Sequence, residues 1–148
     1  MIGEICTTEV VCCSPETSAL EAAKLMRDKH VGDVVLVSNP EEDRFPIGIV
    51  TDRDLAIEVL GRGRDAAAVT LESLARKPVV IARETEDLRS VLARMRLHGV
   101  RRIPVVDEHE KMVGIVTCDD VLQALLSDMQ MLIESETKAH RREQLTRR

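Results

Sequence analysis

Aromatic residues are almost missing: the 148-residue chain has one Phe and no Tyr or Trp. Sequence-tolerant binding of single-stranded nucleic acid stacks bases on aromatic rings, and Phe45 alone builds no such platform. The formal net charge of −5 argues equally against a binder of phosphate backbones. No apolar run approaches the roughly 20 residues that cross a bilayer, and no basic segment leads into a signal core at the N-terminus. These absences predict a cytoplasmic protein with neither membrane nor nucleic acid as partner. With 44% hydrophobic and 32% charged residues the composition is that of a globular protein, whose core must be Val, Ile, Leu, Met and Ala.

Metal-site and catalytic spacings are lacking too. Cys6, Cys12, Cys13 and Cys118 include no C-x-x-C pair and have no His-rich companion. Cys12 and Cys13 are adjacent in an expected strand, so they should point to opposite faces and cannot easily share one metal. Buried, reduced thiols are the expectation, with a thiol-based redox sensor or a zinc site as the rival reading. His30, His98, His109 and His140 are scattered and read as ordinary surface or helix-end residues. Nothing supplies a nucleophile–base pair, and no serine stands in a G-x-S-x-G context, so no enzyme activity is expected.

What is present is an internal repeat. A shift of 69 positions pairs Ile2 with Leu71, Val10-Val11 with Val79-Val80, Met26-Arg27 with Met95-Arg96, and Val31 with Val100. The offset then falls to 66, where Gly48-Ile49-Val50-Thr51 matches Gly114-Ile115-Val116-Thr117 and Asp54 falls on Asp120. A loop shortened by three residues between matched hydrophobic blocks is the trace of a duplication.

Each copy reads as a short amphipathic turn (Ile2 to Cys6; Leu71 to Ala75) and a brief strand (Val10–Cys12; Val79–Ile81). A helix comes next (Ser18 to Lys29; Glu86 to His98), then two strands (Val34–Val37 and Ile47–Val50; Ile103–Val106 and Met112–Val116), then a second helix after Thr51 or Thr117. Ser18 with Glu21 has capping-box spacing, and the turn-rich runs 39–43 and 107–110 join the strand pairs. A unit of about 55–60 residues has a marginal core of its own. The predicted fold is therefore α+β: two pseudo-symmetric β-α-β-β-α units packed through their sheets into one module. The boundaries are 2–60 for the first unit, 61–70 for a linker, 71–126 for the second unit and 127–148 for a helical extension with a basic tail.

The blocks GIVTDRD (48–54) and GIVTCDD (114–120), each preceded by a helix–strand segment (MRDKHVGDVVLV; MRLHGVRRIPVV), resemble tandem CBS domains, the Bateman module. The resemblance covers residues 2–126 and is similar in kind to the small stand-alone bacterial CBS-pair proteins, the type that includes hypoxia-response proteins. It implies a non-catalytic regulatory fold that needs no cofactor and binds an adenosyl ligand between its halves. The ligand expected is AMP, ADP or ATP, or alternatively S-adenosylmethionine. Such modules commonly pair into disc-like homodimers and signal through dimer geometry or an effector protein.

The repeated T-x-x-D has its own physical reading. Thr followed three residues later by Asp at a strand–helix junction is a helix N-cap. It also offers free N–H groups and a positive helix end to a phosphate, a hydroxyl donor, and a carboxylate that accepts from ribose hydroxyls. Carried over from the family, one cleft would contain Ile49, Thr51 and Asp54 with Val80, Val100, Arg101 and Arg102. The other would contain Ile115, Thr117 and Asp120 with Cys6, Val11, Val31 and Gly32. Arg101 and Arg102, with Arg53 nearby, can clamp phosphate oxygens, whereas the matching Gly32 and Asp33 cannot, and Asp33 would repel a phosphate. The Asp54 cleft is therefore expected to take the phosphorylated nucleotide and the Asp120 cleft to stay empty or hold a ligand of little negative charge. The alternative for Arg101 and Arg102 is that they are merely solvated or paired with acidic neighbours.

Past the repeat, Leu122, Leu125, Leu126, Met129, Leu132 and Ile133 mark one face of a long helix. From Lys138 onward the chain carries five basic residues and one acidic one. This extension reads as a solvated helix end with a frayed tail, as a helix that packs across a dimer, or as a basic arm docking on an acidic partner. A structural scaffold with no bound nucleotide remains the rival function.

Overall fold

The computed structural model describes residues 1–42, 44–75 and 78–146. Asp43 in the first turn-rich run and Arg147 and Arg148 in the basic tail lie outside the described residues.

The first half contains β1 (Cys12–Cys13), α1 (Ala19–Lys29), β2 (Asp33–Val37), β3 (Pro46–Thr51) and α2 (Asp52–Leu55), which widens into a π-helical turn over Ala56–Leu60. After a short α3 (Leu71–Leu74), the second half repeats the order as β4 (Ala82–Arg83), α4 (Leu88–His98), β5 (Arg102–Val106), β6 (Met112–Thr117) and α5 (Cys118–Thr146). Each half forms a three-stranded sheet in which the short strand pairs parallel with the second, and the second pairs antiparallel with the third. The α+β fold of two repeated units with a long C-terminal helix is thus as the sequence predicts. The short strands begin later than expected, at Cys12 and Ala82. Val79 and Val80 line the cleft between the halves instead.

Local chemistry accounts for the helices. Ser18 caps α1, accepting from the Glu21 amide at 3.2 Å while Glu21 accepts from the Ser18 amide at 2.9 Å. Asp87 caps α4 in the same way through the Ser90 amide. Both helices stop in a left-handed residue, His30 (φ 55°) in one and Gly99 (φ 62°) in the other, so the duplication retains the stop while varying the side chain.

Side-chain alternation along β2 divides the core. Val34 and Leu36 pack with Cys13, Ala22, Met26 and Val50 beneath α1, whereas Val35 and Val37 face Ile115 of the other half. Val10, Cys12, Ile49 and Met112 complete this seam, which joins the halves through their sheets. Cys12 and Cys13 therefore do point to opposite faces.

The lead turns exchange places. Ile2 is fully buried, and it lies in the second half's core with Ala82, Val91, Met95, Ile103 and Val116. Its amide donates to the Glu86 carbonyl at 3.0 Å, and Thr7 pairs with Ile115 through two bonds of 2.9 Å. Leu71 makes the reciprocal move: it is fully buried in the first half's core, and its amide donates to Thr17 at 2.9 Å. The two halves are interlocked by these turns as well as joined at the seam.

One polar cluster braces the second half. Arg94 on α4 makes a bidentate pair with Glu86 at 3.0 and 2.6 Å and donates to the Ile81 carbonyl at 2.6 Å. Hydrogen bonding from Arg94 holds the Glu86 carboxyl below its usual 4.5. A carboxyl depressed in the folded state stabilises the fold above its unfolded pKa, and that contribution is lost as pH falls through the folded value. Arg94→Met is expected to cost about 1–3 kcal/mol at neutral pH. Below pH 4.5 its deficit should shrink; urea titrations at pH 7 and pH 3 check this, and an equal deficit at both would refute the coupling.

Candidate ligand cleft

Ile49 is a half-buried residue of β3, Val50 after it is fully buried, and the chain turns into a helix beyond Thr51. Thr51 has extended backbone, its hydroxyl oxygen accepts from the Asp54 amide at 3.2 Å, and Asp54 Oδ2 accepts from the Thr51 amide at 2.9 Å and the Thr51 hydroxyl at 2.8 Å. The second copy repeats this within a tenth of an ångström at Thr117 and Asp120. The capping role of T-x-x-D is therefore realised in both halves. It also corrects one expectation, because a hydroxyl has a single proton and Thr51 gives its own to Asp54 rather than leaving it for a phosphate. Asp54 Oδ1 makes no hydrogen bond to the described residues and is left as an acceptor for a ligand.

Facing this capped helix start is a cleft of about 390 Å³ that draws on both halves. Ile49, Thr51, Asp52, Arg53 and Asp54 come from the first half; Pro78, Val79, Val80, Gly99, Val100, Arg101 and Arg102 come from the second. All seven residues that the sequence assigns to the Asp54 cleft line it together. Ile49, Pro78, Val79, Val80 and Val100 provide apolar walls that suit a flat heterocycle, and the charged groups gather at the helix start. Asp52, Pro78, Val79 and Gly99 also line the cleft but were not singled out by sequence. Asp52 is matched by Cys118 in the repeat, so repeat comparison gave it no signal. Gly99 is placed by its left-handed stop of α4.

Arg102 departs from the expected clamp. Its guanidinium forms an ion pair with the carboxylate of Asp33, both side chains being less than one-third exposed. The two residues occupy equivalent positions in the repeat, so their direct contact places them beside the pseudo-twofold axis. There the charge that sequence assigns to one cleft meets the opposite charge assigned to the other. Burial, only partly offset by Arg102, pushes the Asp33 carboxyl above its usual range, and nearby Asp52 adds to this. Arg101 is exposed, and its carbonyl accepts from the Cys118 amide at 2.9 Å, as Gly32 accepts from Asp52 at 3.0 Å.

The second set of residues packs as the first does. Cys6 lies against Gly114, as Ala75 lies against Gly48, and close enough to Asp120 to feel its charge, and Thr7 bridges to Ile115. Val11 and Val31 pack against the first half's core, as Val80 and Val100 do against the second's. Burial raises the thiol pKa of Cys6 and Cys12, and that of Cys13 to about 11, which keeps them protonated near neutral pH and poorly nucleophilic. Among the described residues no group of three His, Cys, Asp or Glu side chains is placed to hold a metal ion. No helix among them is long and apolar enough to cross a membrane.

Two interlocked α+β repeats with a cleft between them define a paired-repeat module. The chain belongs to the CBS-domain family, whose model matches residues 2–61 and 71–127. It is 37% identical over 122 residues to an uncharacterized protein of Methanopyrus kandleri, covering 82% of this chain but 61% of that relative. It is 33% identical to hypoxic response protein 1 of Mycobacterium tuberculosis, covering 82% of each. Among solved structures it resembles hypoxic response protein I with two coordinated zinc ions, at a TM-score of 0.71 and 30% identity over 82% of this chain and 96% of that one. It also resembles the CBS domain pair of protein MJ0100 in complex with 5′-methylthioadenosine and S-adenosyl-L-methionine, at 0.72 and 25% identity over 84% and 98%.

Proposed function

We propose that the chain is a regulatory module that binds an adenosyl ligand, AMP, ADP, ATP or S-adenosylmethionine, in the cleft headed by Thr51 and Asp54. The observation that carries this reading is the joint lining of one cleft by the capped helix start of the first half and Val80, Val100 and Arg101 of the second. Adenine fits between the apolar walls, Asp54 Oδ1 accepts from a ribose hydroxyl, and Arg101 and Arg53 reach the 5′ substituent. A ligand that touches both halves favours one arrangement of them, and that arrangement is the signal. No catalytic step is involved. The output passes through a homodimer or a separate effector protein. The exposed stripe of Leu122, Leu126, Met129, Leu132 and Ile133 on α5 supports such an association.

Thermal unfolding with each ligand tests the reading. At about 100 times its dissociation constant a ligand adds roughly 2.7 kcal/mol, a rise of several degrees. Asp54→Ala should abolish the rise, while Asp120→Ala, which loses an equivalent cap, should retain it. Loss of the rise in both variants would assign it to the cap instead. If no adenosyl ligand moves the midpoint, the module is a scaffold.

A further inference from the structure

Six charged groups meet at the cleft and the adjoining axis: Asp52, Arg53, Asp54, Arg101 and Arg102 in its lining, and Asp33 bound to Arg102. Three are acidic and three basic, so a site that looks rich in arginine has no net charge. Arg53 and Arg101 are exposed and screened by solvent, whereas Arg102 is the half-buried cation whose field acts most strongly inside the cleft. That cation is the one already neutralised by a carboxylate.

We propose that Asp33 is a specificity-determining residue: by holding Arg102 it takes the place of a ligand phosphate and limits the negative charge that the cleft accepts. The inference rests on the adenosyl-ligand reading above and sharpens it. The class of ligand favoured is an adenosyl compound whose 5′ substituent carries little net negative charge, and polyphosphates are disfavoured because they must compete with Asp33 for the guanidinium. A carboxylate and a phosphate oxygen use the same guanidinium donors, so the competition is direct. The contact also explains why the repeat holds opposite charges at these two positions. Adjacent to the axis, two arginines would repel and two aspartates would leave the burial of both uncompensated.

The test is calorimetric titration of the wild type and Asp33→Asn with adenosine and with ATP. Asn retains the size of Asp and a hydrogen-bond acceptor for Arg102 but removes the charge. The expected result is that Asp33→Asn tightens ATP by about tenfold, close to 1.4 kcal/mol, and changes adenosine by less than about twofold. Adding Arg102→Gln to Asp33→Asn should erase the gain. Equal changes for both ligands, or none for ATP, would overturn the proposal. Should adenosine and ATP bind neither protein, the adenosyl reading fails, and inorganic tripolyphosphate then reads the charge limit alone. Tighter tripolyphosphate binding by Asp33→Asn upholds it and unchanged binding overturns it. Asp33→Ser gives the same comparison if the Asn variant does not fold.

Discussion

Ile2→Ala should destabilise the protein by about 2–4 kcal/mol, as much as a substitution in the middle of a core strand. Ile2 is fully buried against Ala82, Val91, Met95, Ile103 and Val116, and its turn is fastened by bonds from Ile2 and Gly3 to the carbonyls of Glu86 and Glu84. The cost has two parts, the lost transfer of the side chain and the cavity left in a core whose strands cannot close upon it. Leu71→Ala should cost a similar amount, since it does for the first half what Ile2 does for the second. Because the turns are exchanged, each substitution should also lower the unfolding cooperativity between the halves. Chemical denaturation gives the free energies, and hydrogen exchange shows which half opens. If Ile2→Ala exposes the first half's amides and leaves those around Ile103 protected, the exchange of turns is wrong.

The second large effect concerns the glycines of the two GIVT blocks. Methylene-sized space is lacking at both, but the obstruction differs. A Cβ on Gly48 would approach Ala75 Cβ to 2.7 Å, with its next neighbours at an ordinary 3.9 Å. A Cβ on Gly114 would meet both Cys6 Sγ and the Thr7 carbonyl oxygen at 2.7 Å. Gly48→Ala and Gly114→Ala should each cost about 1–3 kcal/mol through overpacking, with Gly114→Ala the more severe, because the Thr7 carbonyl is bonded to the Ile115 amide at 2.9 Å and cannot withdraw freely. The compensating substitutions separate the two. Ala75→Gly should restore most of the stability lost in Gly48→Ala, giving a coupling energy of about 1 kcal/mol or more in a double-mutant cycle. Cys6→Gly should restore only part of what Gly114→Ala loses, since backbone remains in the way. Thermal midpoints of the four single variants and two pairs decide the matter. Additive effects for the Gly48–Ala75 pair would show that the turn does not pack on the strand as described.

These glycines show why motif reading and structure meet where they do. In sequence, G-I-V-T drew attention to its Thr, and the glycine was only part of a match. Its physical role is to let the lead turn of the other half pass close to the strand. Cys6 and Ala75 stand at equivalent places in the repeat and press on equivalent glycines. That pairing was present in the alignment of the copies, but nothing local indicates that a turn crosses to its neighbour.

Spacing alone was enough to read the repeat, its strand and helix order, the caps at Ser18 and Thr51, and the apolar stripe on α5. Each depends on neighbours within a few positions or on a fixed offset, so spacing and chemistry reveal it. The resemblance to CBS pairs assigned seven residues to the Asp54 cleft, and all seven line it. The exchange of Ile2 and Leu71, the entry of Asp52 and Gly99 into the cleft, and the union of Asp33 with Arg102 emerge in three dimensions. Sixty-nine residues separate that last pair, and each looked like a property of its own half. The pseudo-twofold axis brings equivalent positions together, and a half-buried guanidinium beside a half-buried carboxylate is held there because neither charge is readily left alone.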